Sequence, residues 1–497
     1  MTLKEKAFSA VRWTTAATAF RVGLSFAQVA IVARLLNPSD FGLMAISGAL
    51  MVFVQIFADM GVSSAIIHHR DISRDQLSSL YWLNVLIGSA LTMVIIVASP
   101  FISALYDEPR LLSILMLMST TLVIGAFGQQ FRVLAEKNLE FAPLMGIDAV
   151  GGIVGFAVVV GSALAGAEVY ALVWGTLAGA AVMTLLSWWL LSKSYRPSFR
   201  IRIAEIRPFV NYGIYMVGNN LANTLNSQAD VLMGGRWLSI SALGVFSLPR
   251  DLSLRIQFLI NSVVTRVGFP VMAQAQNDPV LLKSIYLKTL RMTASINFPI
   301  YLGIAAFTPE IVNVLFGNKW TESVSLLQVL ALWGLVRSTL NPAGSLIFAI
   351  GRVRLAFFWN VSAVIVVLIT YWAGLQYGAQ GLAWSMLAYV VTLSPIAWYV
   401  LVRPTCRATF SQYYLQLLLP ALCSAVAIFM GYIVASSVTE KLVSSGALSL
   451  MEESRTNESI LRLAIGIIAA APAYVLLSRI LNRAWFDAMV ELLMGKK

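Results

Sequence analysis

Apolar residues along this chain arrive in blocks of about 20 or more, separated by short polar breaks, with neither the alternation of a strand nor the narrow stripe of a soluble helix. About 20 such residues are needed to cross about 30 Å of hydrocarbon as a helix. The blocks predict fourteen spans, at 13–36, 41–66, 78–105, 111–134, 144–165, 168–192, 209–235, 242–270, 285–308, 321–350, 353–375, 379–402, 410–437 and 459–481. The expected fold class is an all-α polytopic membrane protein. Composition agrees, since 59% of the 497 residues are hydrophobic and only 12% charged, half the roughly 25% of soluble domains. A soluble enzyme, a disordered chain and a disulfide scaffold are excluded.

An even number of spans puts both termini on one face, read here as cytoplasmic. The segments on that face hold 23 Lys and Arg, including Lys4, Arg74, Arg132, Arg196, Lys288, Arg352, Arg403 and Arg483. The opposite segments hold six: Arg34, Arg110, Arg236, Lys319, Lys441 and Arg455. Such a bias sets topology, so the net charge of +12 reflects membrane orientation and calls for no nucleic-acid partner. Cys406, Cys423 and the adjacent His68 and His69 have no metal-ligand spacing, and neither a metal nor a cofactor is expected. From Arg483 onward, Trp485, Phe486, Met489, Leu492 and Leu493 share one helical face, which suits a helix lying in the inner interface.

An internal repeat emerges at an offset of 202. It pairs Ala27 with Ala229, Val29 with Val231, Arg34 with Arg236, Leu36 with Leu238, Ser39 with Ser241, Gly42 with Gly244, Leu50 with Leu252 and Gln55 with Gln257. The offset carries span 1 onto span 7, six helices later and running the same way, so the repeat is parallel about an axis along the membrane normal. The predicted organisation is a first lobe at 1–192, a basic cytoplasmic linker at 193–208 and a second lobe at 209–403. Two added helices at 404–482 and an amphipathic tail at 483–497 complete it. Two pseudo-symmetric six-helix lobes would then face a central cavity.

Polar residues inside the spans point to that cavity. Thr14, Thr18, Arg21, Ser25 and Gln28 recur at spacings that keep them on one face of span 1. The offset turns this stripe into Met216, Asn220, Asn223, Ser227 and Asp230 on span 7. Against lipid such residues are costly, so both stripes are expected to face inward, as cavity lining or as interhelical glue. Span 8 carries Arg250, Asp251 and Arg255, with the last two spaced to pair. Span 10 carries Arg337 and Asn341. The acid Asp148 is assigned to helix-dipole compensation in the first turn of span 5. Counting Arg21, Arg250, Arg255, Arg266 and Arg337 against Asp59, Asp230 and Asp251, the interior is cationic. Guanidinium groups suit a phosphate-bearing cargo, whereas a site for cationic drugs would be lined with carboxylates.

Four stretches add a resemblance: ARLLNPSDFGLMAIS, IFADMGVSSAIIHHRDIS, DVLMGGRWLSISALGVFS and PEIVNVLFGNKWTESVSLLQVLAL. They resemble signature regions of the polysaccharide transporter branch of the multidrug/oligosaccharidyl-lipid/polysaccharide flippase superfamily, nearest to Wzx-type exporters of the colanic acid and lipopolysaccharide kind. The resemblance runs through about the first 400 residues. It implies a flippase, not an enzyme, in the bacterial inner membrane, moving undecaprenyl-diphosphate-linked repeat units, with polymerase and chain-length proteins as further partners. It brings no residue-level site. The residues themselves nominate Arg21, Gln28, Asn220, Asn223, Arg250, Arg255, Arg337 and Asn341 for cargo, and Asp230 or Asp251 for ion coupling. Alternatives are another exporter of that superfamily, for peptidoglycan lipid precursor or for drugs and metabolites, or a membrane polymerase or ligase of lipid-linked sugars.

Overall fold

The computed structural model describes residues 23–59, 63, 66, 72–192, 195–199, 203–444, 455–483, 485–487 and 489, and every regular element among them is helical. In chain order these are α1 (Gly23–Leu35), α2 (Pro38–Asp59), α3 (Arg74–Leu105), α4 (Arg110–Lys137), α5 (Phe141–Leu164), α6 (Val169–Leu191) and α7 (Ile203–Trp237). There follow α8 (Ile240–Gln274), α9 (Pro279–Ala306), α10 (Ser323–Ala349), α11 (Val353–Leu375), α12 (Gly378–Ala397), α13 (Phe410–Ser444) and α14 (Arg455–Leu481). A short helix, Thr308–Leu315, leaves α9 at a bend of 81°. Among the described residues, ten helices are long and apolar enough to span a membrane, and eleven if that bent pair counts as one span. The predicted fourteen are not all recovered by that measure. α7, which carries Asn220, Asn223 and Asp230, and α8, which carries Arg250, Asp251 and Arg255, are not among the ten.

The burial pattern is that of a protein dissolved in lipid. On α3, Met93, Val97 and Phe101 stand exposed, Phe101 at 77%, while Ser79, Asn84 and Ser99 are buried. A water-soluble helix would do the reverse. Polar side chains turn inward here because only other protein groups can satisfy them at that depth.

The chain divides into two compact units, 1–244 and 245–497. In the first, α3 starts with a capping box: Ser73 Oγ accepts the Gln76 N–H at 3.1 Å and Gln76 Oε1 accepts the Ser73 N–H at 3.0 Å. The loop after α6 is tied to α3. Tyr195 donates its hydroxyl to Ser78 Oγ at 2.9 Å, the Ser198 N–H reaches the same oxygen at 3.1 Å, and Phe199 stacks on Trp82. This end of the expected linker is therefore a bound strap. α7 packs on α2, which places it in the first unit.

The start of α8 also reaches α2, so that two segments related by the offset of 202 come together within the first unit. A Cβ built on Gly42 would run into the carbonyl of Ile240, and one built on Gly244 into the carbonyl of Pro38. The offset of 202 converts the first contact into the second, because it takes 42 to 244 and 38 to 240. Only glycine permits such an approach of two backbones.

In the second unit Asp278 caps α9 by accepting the N–H groups of Val280 and Leu281, with Pro279 at the first helical position. The α13–α14 pair is clasped to α9 at one end, where Tyr474 donates to the Ser295 carbonyl at 2.6 Å and Asn482 to Ser295 Oγ at 2.8 Å. It is clasped to the short helix at the other, where Arg462 meets buried Glu310 at 3.2 Å and Asn313 donates to Ser459 at 2.9 Å. The tail behaves differently from the interfacial helix expected. Trp485 is 8% exposed and packs with Cys423, Ala427 and Tyr474, and Phe486 and Met489 join the same cluster. The rest of that predicted face, Leu492 and Leu493, lies outside the described residues.

Candidate functional site

Each unit contributes a polar group of its own. In the first, Arg21 and the side chain of Asp59 lie outside the described residues. Gln28 is half-buried on α1, and Asn220 and Asn223 are exposed three residues apart on α7. Asp230 is 2% exposed and accepts the N–H of Val231 at 2.9 Å. The end of α7 is fixed around it. Tyr106 donates to the Leu232 carbonyl at 3.2 Å and Arg236 pairs with Asp107 at 3.1 Å, in the loop where Glu108 also pairs with Arg110 at 2.8 Å. The Arg110 guanidinium holds the Glu108 carboxyl below the usual carboxylate range.

Among the ion pairs of this unit that sequence reasoning missed, one joins two helices. Arg132 on α4 meets Asp148 on α5 at 2.6 Å, and the Asp148 side chain is only 8% exposed. Asp148 is thus held by a counter-ion, and the expected helix-dipole compensation is corrected, because α5 starts at Phe141 and its first turn holds no acid. Sixteen residues separate the partners, and no local periodicity links them.

In the second unit α8 and α10 are brought together through α9. Ser323, the first residue of α10, donates to the Val245 carbonyl of α8 at 2.9 Å. Further along, Tyr301 of α9 donates to the Ser253 carbonyl of α8 at 2.7 Å, and its ring fills the space left by Gly334 of α10, where a Cβ would lie 2.8 Å from Tyr301 Cζ. These contacts occur in the same order on both helices, so α8 and α10 run parallel. Counting from Ser253 and Gly334, or from Val245 and Ser323, at about 1.5 Å per residue, Arg255 and Arg337 branch within about one helical turn of each other in depth.

The three arginines are held differently. Arg250 is 4% exposed and its Nη1 meets Asp251 at 3.0 Å, so Asp251 pairs with its neighbour and not with Arg255, as the four-residue spacing had suggested. Arg255 is exposed and no carboxylate among the described residues pairs with it. Arg337 is half-buried, with its guanidinium carbon 4.8 Å from the Trp333 ring centroid, a cation–π distance. Asn341 follows one turn later, also half-buried. The side chain of Arg266 is outside the described residues.

The structure adds residues that the sequence reading did not single out. Ser253 Oγ, Gln257 Oε1, both amide atoms of Asn261 and Trp333 Nε1 are buried with no hydrogen-bond partner among the described residues. Ser253, Gln257 and Asn261 recur every fourth residue of α8, a signal that was available. Trp333 stands four residues before Arg337 on the same helix, so that spacing too was available, whereas the buried and unpartnered Nε1 shows only in the packing. Among the described residues, the guanidinium groups of Arg250, Arg255 and Arg337, beside unspent donors and acceptors, can recognise an anion with hydroxyl-rich surroundings.

Comparison with known proteins shows the family and the fold. The pattern of a family described as polysaccharide biosynthesis protein matches residues 31–325. The lipopolysaccharide biosynthesis protein WzxC of Escherichia coli (strain K12) is 30% identical over 433 residues, covering 87% of this chain and 88% of its own. The teichuronic acid biosynthesis protein TuaB of Bacillus subtilis (strain 168) is 27% identical, covering 96% and 95%. In fold, the chain is similar to the lipid II flippase MurJ in its inward closed conformation, with a TM-score of 0.71 at 14% identity, covering 94% of this chain and 99% of that one. With more than half its length matched and a relative at this identity, the chain belongs to the polysaccharide biosynthesis protein family of multi-pass membrane proteins.

Proposed function

We propose that this chain is a flippase of the bacterial inner membrane. It carries undecaprenyl-diphosphate-linked oligosaccharide repeat units from the cytoplasmic to the periplasmic leaflet by alternating access, for polysaccharide biosynthesis. The observation that carries this reading is the pair of arginines that branch from α8 and α10 within about one helical turn in depth, Arg255 exposed and Arg337 braced on Trp333, beside an Arg250 that Asp251 already neutralises. A diphosphate can take two forked hydrogen-bond pairs from such groups. The family supplies the setting, with relatives named for lipopolysaccharide and teichuronic acid biosynthesis.

In this reading Arg21, Gln28, Asn220, Asn223 and Asn341 contact the cargo with the arginines, and Asp230 or Asp251 couples an ion or changes partner between states. The rocking bodies are the repeat-related halves 1–192 and 209–403, joined by 193–208, with both termini cytoplasmic. The membrane lipids and the pathway's polymerase and chain-length proteins are its partners. The cationic balance speaks against cationic drugs.

The test is flipping of a defined lipid-linked repeat unit in vesicles containing purified protein. Arg255→Ala and Arg337→Ala are each expected to lower flipping at least about tenfold, the order expected for a lost charge-assisted bond, with normal insertion. Flipping that survives both changes would overturn the phosphate-gripping assignment.

A further inference from the structure

A second concavity lies in the second unit, away from the arginines just described. It is a cavity of about 380 Å³ whose wall includes Phe298 of α9, Leu335 and Thr339 of α10, Val391 of α12 and Phe410 and Tyr414 of α13. At about 100° per residue, Leu335 and Thr339 sit about 160° around α10 from Arg337, whereas Trp333 and Asn341 sit on the Arg337 side. The cavity is therefore on the opposite face of the helix from the proposed cargo residues. Its wall is apolar, and the Ser394 and Tyr414 hydroxyls satisfy each other at 3.1 Å.

One corner of this cavity is basic. Phe410, part of the wall, meets the Trp398 ring edge-on at 5.1 Å between centroids. The Arg403 guanidinium lies 5.9 Å from the Trp398 ring and 5.4 Å from that of Tyr399. These residues are gathered by an irregular stretch, in which α12 gives way to a π-helical turn at Trp398–Val402 and then to the turn Arg403–Cys406. Arg407 follows with φ 54°, a left-handed conformation more usual for glycine. Both Arg403 and Arg407 are exposed, and no carboxylate among the described residues pairs with either. The positive end of the α13 dipole opens at the same corner, because that helix starts at Phe410.

We propose that this corner holds one anionic phospholipid of the surrounding bilayer, with an acyl chain in the cavity and its phosphate at Arg403 and Arg407. An apolar groove alone selects nothing in a membrane, because lipid tails are as apolar as the side chains lining it. Selection must come from the headgroup, and the guanidinium groups of Arg403, one ring removed from the wall residue Phe410, and of Arg407, three residues before it, would provide it.

The experiment is native mass spectrometry of the full-length protein released from bilayers of equal phosphatidylglycerol and phosphatidylcholine. One phosphatidylglycerol is expected to stay bound, preferred over phosphatidylcholine about tenfold or more for two cationic contacts. Arg403→Gln with Arg407→Gln should bring the two lipids to parity. Arg337→Gln should leave the preference intact, which separates this site from the cargo residues. Equal retention by the native protein, an unchanged preference in the double variant, or displacement by equimolar undecaprenyl phosphate would each overturn the assignment.

Discussion

The meeting of Gly42 and Gly244 offers a sharp test of how the repeat works. In Gly244→Ala the new Cβ would lie 2.6 Å from the Pro38 carbonyl carbon and 3.0 Å from the Gly42 nitrogen, besides striking the Pro38 oxygen. Non-bonded carbons settle at about 3.5–4.0 Å, so the two backbones must part by about 1 Å. Overpacking of this kind costs about 1–3 kcal/mol, enough to shift a two-state population about 5- to 150-fold. Because the offset of 202 exchanges the two contacts, Gly42→Ala should act in the same direction and with similar size. Spin labels on Ser39→Cys and Ser241→Cys, with Cys406 and Cys423 replaced by Ser, would report the separation of the two segments by electron double resonance. Both alanine variants are expected to move the distribution to longer distances and to slow flipping. Gly48→Ala is the control, since its Cβ would meet nothing within 4 Å. A Gly244→Ala distribution superimposable on the parent, with flipping unchanged, would refute the idea that this contact holds one end of the repeat closed.

Two further outcomes follow from the first unit. Asp148→Asn should cost about 3 kcal/mol, because it leaves Arg132 without its buried counter-ion; thermal unfolding in detergent measures this, and an unchanged midpoint would mean the pair contributes nothing. Glu108, held below the usual carboxylate range by Arg110, should stabilise the loop above that range. As pH falls through its lowered pKa, that contribution should be lost, at under about 1 kcal/mol for a pair with a half-exposed arginine. Unfolding midpoints followed from neutral to acid pH should therefore converge between the parent and Glu108→Gln, the parent being the more stable only at the neutral end.

Much of this protein is written in one dimension. Apolar blocks of bilayer length fix a helical membrane fold whatever the packing, because an unpaired backbone in hydrocarbon is too costly for anything but helix. The parallel repeat was legible from eight identities, and it located Gly42 and Gly244 without indicating that they touch. The polar stripes could be traced because a helix returns every third or fourth residue to the same face. Pairings across the chain could not. Asp251 chose Arg250 over Arg255, and Asp148 found Arg132, because ion pairs form by distance and desolvation in three dimensions and leave no mark on spacing. Trp485 turned into the α13–α14 cluster although its spacing suited the interface equally well. The brace of Trp333 on Arg337 is local, four residues apart on one helix, but the joining of Phe298, Thr339, Val391 and Tyr414 in one cavity wall arises only where helices distant in sequence are packed side by side. Periodicity says which face a residue occupies, and only the tertiary structure decides what that face meets.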